Sequence, residues 1–233
     1  MKAKSLSVES PDGNTLLEDV DISVSKGETV LICGGPGSGK TTLCKALKGI
    51  LPENFSISGS IEVNGDSGFL FQSPERQIVR ERVIEDLAFG LENLGLPSEE
   101  IAKRIRKSSR RYGLEELLNR DTSNLSSGEK AKVALTGVLV TEPDVLILDE
   151  PLSMLDAPNK TMVLNQIEKI KTEDRALIIS EHQIKELLPL IDEVVILRNG
   201  RVKRQGEPKD VLVDIKSEGL RLPFEQELRL EGE

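Results

Sequence analysis

Apolar and polar residues alternate at Leu6 and Val8 and again at Val20, Ile22 and Val24, the period of two that turns every second side chain to one face of a strand. Pro11-Asp12-Gly13 lies between the two runs as a turn signal, so the chain is expected to open on a small antiparallel sheet. Thr29 to Cys33 reads differently: every residue is β-branched or apolar, as in a strand covered on both faces. A glycine-rich turn follows, and then a helix with Leu43, Ala46, Leu47 and Ile50 on one face. From about Ser73 to Val140 charged helix formers dominate. There, Ser98-Glu99-Glu100-Ile101 resembles a capping box, and Ile101 and Ile105 share a side. Strand-like runs return at Val145–Leu148, Ala176–Ser180 and Val194–Leu197, with a helix around Thr161–Ile170. Asn199-Gly200 before Val202 predicts a hairpin at the end of the sheet. The residues after Val213 are charged and read as a short tail. Strands alternating with helices predict an α/β fold with a mostly parallel sheet and an inserted helical region.

Bulk properties narrow the function classes. With 233 residues and 37% apolar content, the chain can bury one large core. No run approaches the roughly 18 apolar residues of a membrane span, and MKAKSLSVES lacks the apolar stretch of a signal peptide, so a cytosolic location is expected. Cys33 and Cys44 flank the glycine-rich loop without metal-ligand spacing and read as buried thiols. A net charge of -9 argues against general nucleic-acid binding. Six of the nine residues from Lys103 to Arg111 are nonetheless basic, and these read as a solvated helix face, with contact to anionic headgroups or an acidic partner loop as the alternative.

Gly34-Gly35-Pro36-Gly37-Ser38-Gly39-Lys40-Thr41 fits the phosphate-loop spacing of Gly, four residues and Gly-Lys-Ser/Thr, placed after a strand and before a helix. Glycines let backbone N–H groups curl around phosphates, and the helix start adds positive dipole at Lys40, Thr41 and Thr42. Lys40 reaches the β and γ phosphates while the Thr41 hydroxyl coordinates Mg²⁺. Val145 to Leu148 delivers Asp149 and Glu150 to the end of a buried strand, where two adjacent carboxylates are costly without partners. Asp149 suits Mg²⁺ through water, and Glu150 suits a base for an attacking water. ATP and Mg²⁺ are thus the expected ligands.

Leu125-Ser126-Ser127-Gly128-Glu129 resembles the LSGGQ signature of ABC ATPases, lying before a helix and upstream of the carboxylate pair. Taken alone, such a Ser/Gly stretch also suits a helix-capping loop. The resemblance implies that Ser126 and Gly128 close over ATP held by a second subunit, giving two sandwiched nucleotides. In family order, Gln72, after the strand-like Gly68-Phe69-Leu70-Phe71, resembles the Q-loop glutamine, Asp156 the D-loop aspartate, and His182 the switch histidine. The resemblance thus implies that Gln72 links Mg²⁺ and the water to the helical subdomain, and that His182 senses the γ-phosphate.

Phe71-Gln72-Ser73-Pro74-Glu75-Arg76-Gln77-Ile78-Val79, followed by Val83-Ile84-Glu85-Asp86-Leu87-Ala88-Phe89-Gly90-Leu91-Glu92-Asn93-Leu94-Gly95-Leu96-Pro97, resembles ATPases of energy-coupling factor importers, with Gln77 similar to a second glutamine of that branch. That resemblance implies a subunit at the cytoplasmic face of the membrane, powering uptake of a vitamin or transition-metal ion. Its partners would be a second ABC ATPase, identical or paralogous, a transmembrane scaffold and a separate membrane substrate-binding subunit, with no nucleic acid. It also implies an ABC ATPase domain over residues 1–215, with a P-loop core at 1–72 and 141–215, an N-terminal antiparallel β-subdomain, a helical subdomain at 73–140, and a tail at 216–233. A soluble relative acting in nucleic-acid repair or translation is the alternative, but no long inserted coil is present. The sequence departs from the family in four places. No aromatic precedes Phe55, Ser10 standing near the expected adenine-stacking position; Ser127 and Glu129 replace Gly and Gln in the signature; and Glu181 precedes the histidine.

Overall fold

The alternating runs at the start pair as predicted. In the computed structural model, which describes residues 1–153, 155–171, 175–182 and 184–211, β1 (Lys2–Glu9) lies antiparallel to β2 (Thr15–Ser23), with Leu6 opposite Val20 and Val8 opposite Leu17. Leu6, Val8, Leu17, Val20 and Ile22 turn inward and are buried. A third strand, β4 (Ser56–Glu62), covers the other edge of β1. Its sequence SISGSIE stays almost wholly exposed, so it carries no burial period for a sequence reading to detect.

The second sheet has six strands in the order β5-β6-β7-β3-β8-β9. These are β3 (Thr29–Cys33), β5 (Ser67–Leu70), β6 (Val145–Asp149), β7 (Ala176–Glu181), β8 (Glu193–Arg198) and β9 (Arg201–Gly206). All pairings are parallel except β8 with β9. Every residue of β3, β6 and β7 is buried, and the pleat splits them between two cores. Val30, Ile32, Val145, Ile147 and Ile178 face α1 (Lys40–Lys48) and the antiparallel sheet. Leu31, Cys33, Leu146, Leu148, Leu177 and Ile179 face the larger helical layer. Each such aliphatic chain contributes roughly 1.5–3 kcal/mol on burial, enough to fix the register because a one-residue slip would exchange the two faces.

That layer contains α2 (Val83–Asn93), α3 (Ser98–Tyr112), α4 (Ser127–Leu139) and α5 (Ala157–Lys171). Leu87, Leu91, Ile105, Val133 and Ile167 supply its buried stripe, while Leu94 at the end of α2 stays exposed. Basic residues of α3 find partners inside the fold: Arg104 pairs with Glu100 and Glu142, Lys107 with Glu142, and Arg110 with Glu115.

Three local expectations change. α1 stops at Lys48 because Gly49 takes a left-handed conformation (φ 73°), which leaves Ile50 outside the helix and 38% exposed. Ser98 is the first residue of α3, not its cap: Pro97 occupies that position and no side chain caps the helix. The capping box lies instead on α4, at Ser126 and Glu129. The strand read as Gly68–Phe71 ends at Leu70, with Phe71 exposed. Cys33 and Cys44 are free and buried; burial pushes the Cys33 thiol up to about 12 and raises that of Cys44 as well. The tail from 216 lies outside the described residues.

Candidate functional site

At the carboxyl ends of β3, β6 and β7 a cleft of about 650 Å³ opens, where ligands of open parallel sheets gather. The loop after β3 forms its floor. Gly39 caps α1 at φ 106°, and a Cβ there would come within 3.0 Å of the Leu16 carbonyl, so only glycine fits. No side chain caps α1 and no acid occupies its first turn. The leading N–H groups of the helix, from Lys40 to Leu43, have the dipole's positive end to themselves, except that Leu43 N donates to Gly39 O at 2.8 Å. Pro36, Gly37, Ser38, Gly39, Lys40, Thr41 and Thr42 line the cleft. Gly34 and Gly35 lie just behind it and present their carbonyls to Lys40 Nζ at 3.0 and 3.4 Å. The Ser38 hydroxyl is buried and has no hydrogen-bond partner among the described residues.

Across the floor, β6 ends at the paired carboxylates. Asp149, 1% exposed, accepts from Ser180 Oγ at 2.6 Å and Thr41 Oγ1 at 3.2 Å. Burial raises its pKa, with the Ser180 and Thr41 hydrogen bonds opposing and the Glu150 carboxylate adding. A carboxylate held against its own desolvation, facing a threonine hydroxyl, is a hard oxygen pair of the kind Mg²⁺ prefers, and the residues present fit that ion. Glu150 sits at φ 48°, a left-handed conformation that costs a non-glycine residue about 1 kcal/mol. Its N–H is held by Ser180, to O at 3.0 Å and Oγ at 3.1 Å. This twist turns the Glu150 carboxylate into the cleft, where Oε1 lies 3.2 Å from Lys40 Nζ and Oε2 accepts from Gln72 Nε2 at 2.7 Å.

His182 lines the same cleft. The buried Glu181 carboxylate accepts from the His182 N–H at 2.9 Å and from Leu152 N at 3.0 Å, with Oε2 3.4 Å from His182 Nδ1. It thereby ties the loops after β6 and β7 together. Gln77 does not reach the cleft. Its amide bridges Phe69 O at 3.0 Å and Phe71 N at 3.3 Å, extending the end of β5 just before Gln72.

The structure therefore brings Lys40, Thr41, Gln72, Asp149, Glu150 and His182 together, but places Ser126, Gly128 and Asp156 outside the cleft walls. Ser126 caps α4. Asp156 Oδ1 accepts from Asn159 N at 3.1 Å at the start of α5. A Cβ on Gly128 would meet Asn159 Oδ1 at 1.7 Å, so the starts of α4 and α5 touch through that glycine. Four wall residues escaped the sequence reading: Thr15, Leu16, Asn199 and Gly200. Asn199-Gly200 was legible as a hairpin, and its φ values of 51° and 73° suit a type I′ turn. Its function as a wall comes from Gly200 N donating to Ser38 O and Glu18 N to Gly200 O. Ser10 instead hydrogen-bonds Asn14 within the β1–β2 turn and does not line the cleft; Thr15 and Leu16 do.

The ABC transporter family profile matches residues 17–153. The chain is 34% identical over 239 aligned positions to the energy-coupling factor transporter ATP-binding protein EcfA of Methanocaldococcus jannaschii, covering 96% of this chain and 85% of the relative. To the protein of the same name from Enterococcus faecium it is 36% identical, covering 91% and 81%. Among solved structures, cbiO1 of Clostridium perfringens, described as part of the ABC transporter complex cbiONQ, superposes with a TM-score of 0.79 at 34% identity, over 95% of each chain.

Proposed function

The chain belongs to the ABC transporter ATP-binding family, and from that premise we propose that it hydrolyses Mg-ATP as a peripheral subunit of an energy-coupling factor importer. The observation that carries the reading is one cleft holding Lys40, Thr41, Gln72, Glu150 and His182, with Asp149 hydrogen-bonded to Thr41 at its floor.

In this reading the N–H groups from Gly37 to Thr42 and the Lys40 ammonium bind the phosphates. Thr41 and Asp149, with Gln72, hold a divalent ion, which when bound neutralises charge on the phosphate oxygens. Lys40 and Glu150 satisfy one another at 3.2 Å. When Lys40 turns to phosphate, the Glu150 carboxylate is released to take a proton from the attacking water. Gln72 already donates to that carboxylate at 2.7 Å, so displacement of its loop by a membrane partner acts directly on the base. His182, just past the carboxyl end of the neighbouring strand β7 and held by Glu181, faces the γ-phosphate.

Ser126 and Gly128 lie outside their own cleft, which supports their service to a second subunit, with Asp156 at the same interface. Residues 73–140 are the helical subdomain that docks the transmembrane scaffold, and 1–72 with 141–215 form the nucleotide core. The exposed apolar residues Phe71, Val79, Ile84 and Leu94 give that docking region its chemistry. Among the described residues no helix is long and apolar enough to cross a membrane, in keeping with attachment through a partner at the cytoplasmic face. Substrate recognition, of a vitamin or transition-metal ion, falls to a separate membrane subunit, and no nucleic acid is involved.

Affinity purification of the tagged chain from solubilised membranes of its own cell, with mass spectrometry of what stays bound, tests the importer reading. A multi-spanning scaffold, with or without a second ATPase, is the expected companion; soluble proteins or nucleic acid alone would overturn it. For the chemistry, Glu150→Gln is expected to bind ATP yet lower turnover about 10²–10⁴-fold, and unchanged turnover removes Glu150 from its assigned place.

A further inference from the structure

The signature loop contains an acid at a position that should repel a nucleotide. Glu129 stands in the first turn of α4, three residues from Ser126, and the loop as read above meets the phosphates of a paired subunit. Inside the chain, however, this carboxylate is fully engaged. Its Oε2 accepts from Ser126 N at 2.8 Å, while Ser126 Oγ accepts from Glu129 N at 3.3 Å. Its Oε1 lies 2.8 Å from Arg120 Nη1, and the second guanidinium nitrogen, Nη2, donates to Asn124 O at 2.9 Å. One planar fork thus spans the backbone before the loop and the acid behind it, which a lysine cannot do. Arg120 is also tied to the docking region through its backbone: Val83 N donates to Arg120 O at 3.2 Å, and two residues on, Thr122 bonds Glu81 O and Arg80 O at 2.8 Å each. The hydrogen bonds around Glu129 lower its pKa, the Ser126 N–H foremost and Arg120 adding, so it is an anion at neutral pH.

We propose that Arg120 is a positioning residue for ATP hydrolysis across the subunit pair. By neutralising Glu129 and anchoring Asn124, it lets the loop present Ser126 and the start of α4 to the partner's nucleotide without a repelling charge. The inference rests on the ATPase reading above. It predicts that losing Arg120 exposes an anion, and that with the anion removed the loss matters little. Glu129→Gln is suited to this, since glutamine retains the capping acceptor while shedding the charge.

The test uses the ATPase assembly recovered through a tag on the full chain, comparing the parent with R120A, E129Q and R120A/E129Q. R120A is expected to raise KM for ATP about tenfold with kcat changed less than about twofold, as loss of one charge-compensating partner at an interface does. The double variant should have a KM within about twofold of that of E129Q alone, so that once the anion is gone the loss of Arg120 has little further effect. Salt provides a readout that mere loosening would not move. The R120A-to-parent ratio of KM should shrink as ionic strength rises to 1 M, where the screening length falls from about 10 Å to about 3 Å. An R120A assembly with parental KM, a double variant whose KM exceeds that of E129Q by as much as R120A's exceeds the parent's, or a ratio indifferent to salt each overturns the inference while the ATPase reading stands. A parent assembly without ATPase activity overturns both. If R120A is not recovered folded, Arg120→Lys keeps a charge but not the fork, and a KM equal to the parent's would refute the two-point anchor.

Discussion

Two helix N-termini in this chain follow opposite designs. α1 begins on a glycine with no side-chain cap and no acid in its first turn, and a buried lysine lies behind it. α4 begins on a serine closed by a capping box, with its own carboxylate inside the first turn and an arginine against that carboxylate. A helix start leaves several N–H groups without intrahelical partners. α1 keeps them for an anion from outside, whereas at α4 the Ser126 hydroxyl takes the Glu129 N–H and the Glu129 carboxylate takes the Ser126 N–H. The contrast teaches that a phosphate cradle is recognised less by a helix dipole, which both possess, than by the absence of internal groups competing for it.

The contrast breaks most sharply at Lys40. Lys40→Ala is expected to weaken ATP binding about 100-fold or more, the scale of a desolvated charge-assisted contact, measured by calorimetric titration in the Glu150→Gln background. Ser126→Ala should leave that single-subunit affinity within about twofold; an equal loss in both variants would mean that the two helix starts share one site. Gly128→Ala is the next largest effect. With Asn159 Oδ1 1.7 Å from the new Cβ, the Asn159 amide must swing aside, at a cost near the low end of about 1–3 kcal/mol read in chemical denaturation. Ser126→Ala removes a cap worth about 1 kcal/mol by the same measurement, and a change near zero would show that the capping box does not hold the start of α4. The smallest effect lies at the mouth of the α1 cleft. Thr15 and Leu16 stand there in place of an aromatic, whose stacking on a base is worth about 1–3 kcal/mol where measured. ATP should therefore be preferred over GTP by less than about tenfold, and a stronger preference would refute this account of the wall.

The sequence exposed the phosphate loop because its chemistry is contiguous: Gly34 to Thr41 act through their own backbone, so spacing alone carries the geometry. Asp149 and Glu150 were legible too, since an apolar strand ending in two acids admits few bland explanations. Other parts were hidden because their meaning depends on distant neighbours. Asn199-Gly200 announces a hairpin, yet only its bonds to Ser38 and Glu18 make it a wall of the cleft. Glu129 reads as an added charge until Arg120, nine residues earlier, is seen at 2.8 Å. The exposed strand β4 has no periodicity to betray it, and Ile50 fits a helical stripe that Gly49 has already ended.

What the sequence determined by itself is the set of local structures and reactive groups that depend on a few consecutive residues: buried strands, a glycine loop, the helix that follows it, and the family to which their order belongs. What only the tertiary structure decided is which groups meet. The 2.7 Å contact of Gln72 with Glu150, the burial of Asp149 against Ser180 and Thr41, and the Gly128–Asn159 junction join residues up to 108 positions apart. Such proximities arise from sheet order and the packing of two cores, interactions that close long loops and so leave no local pattern along the chain.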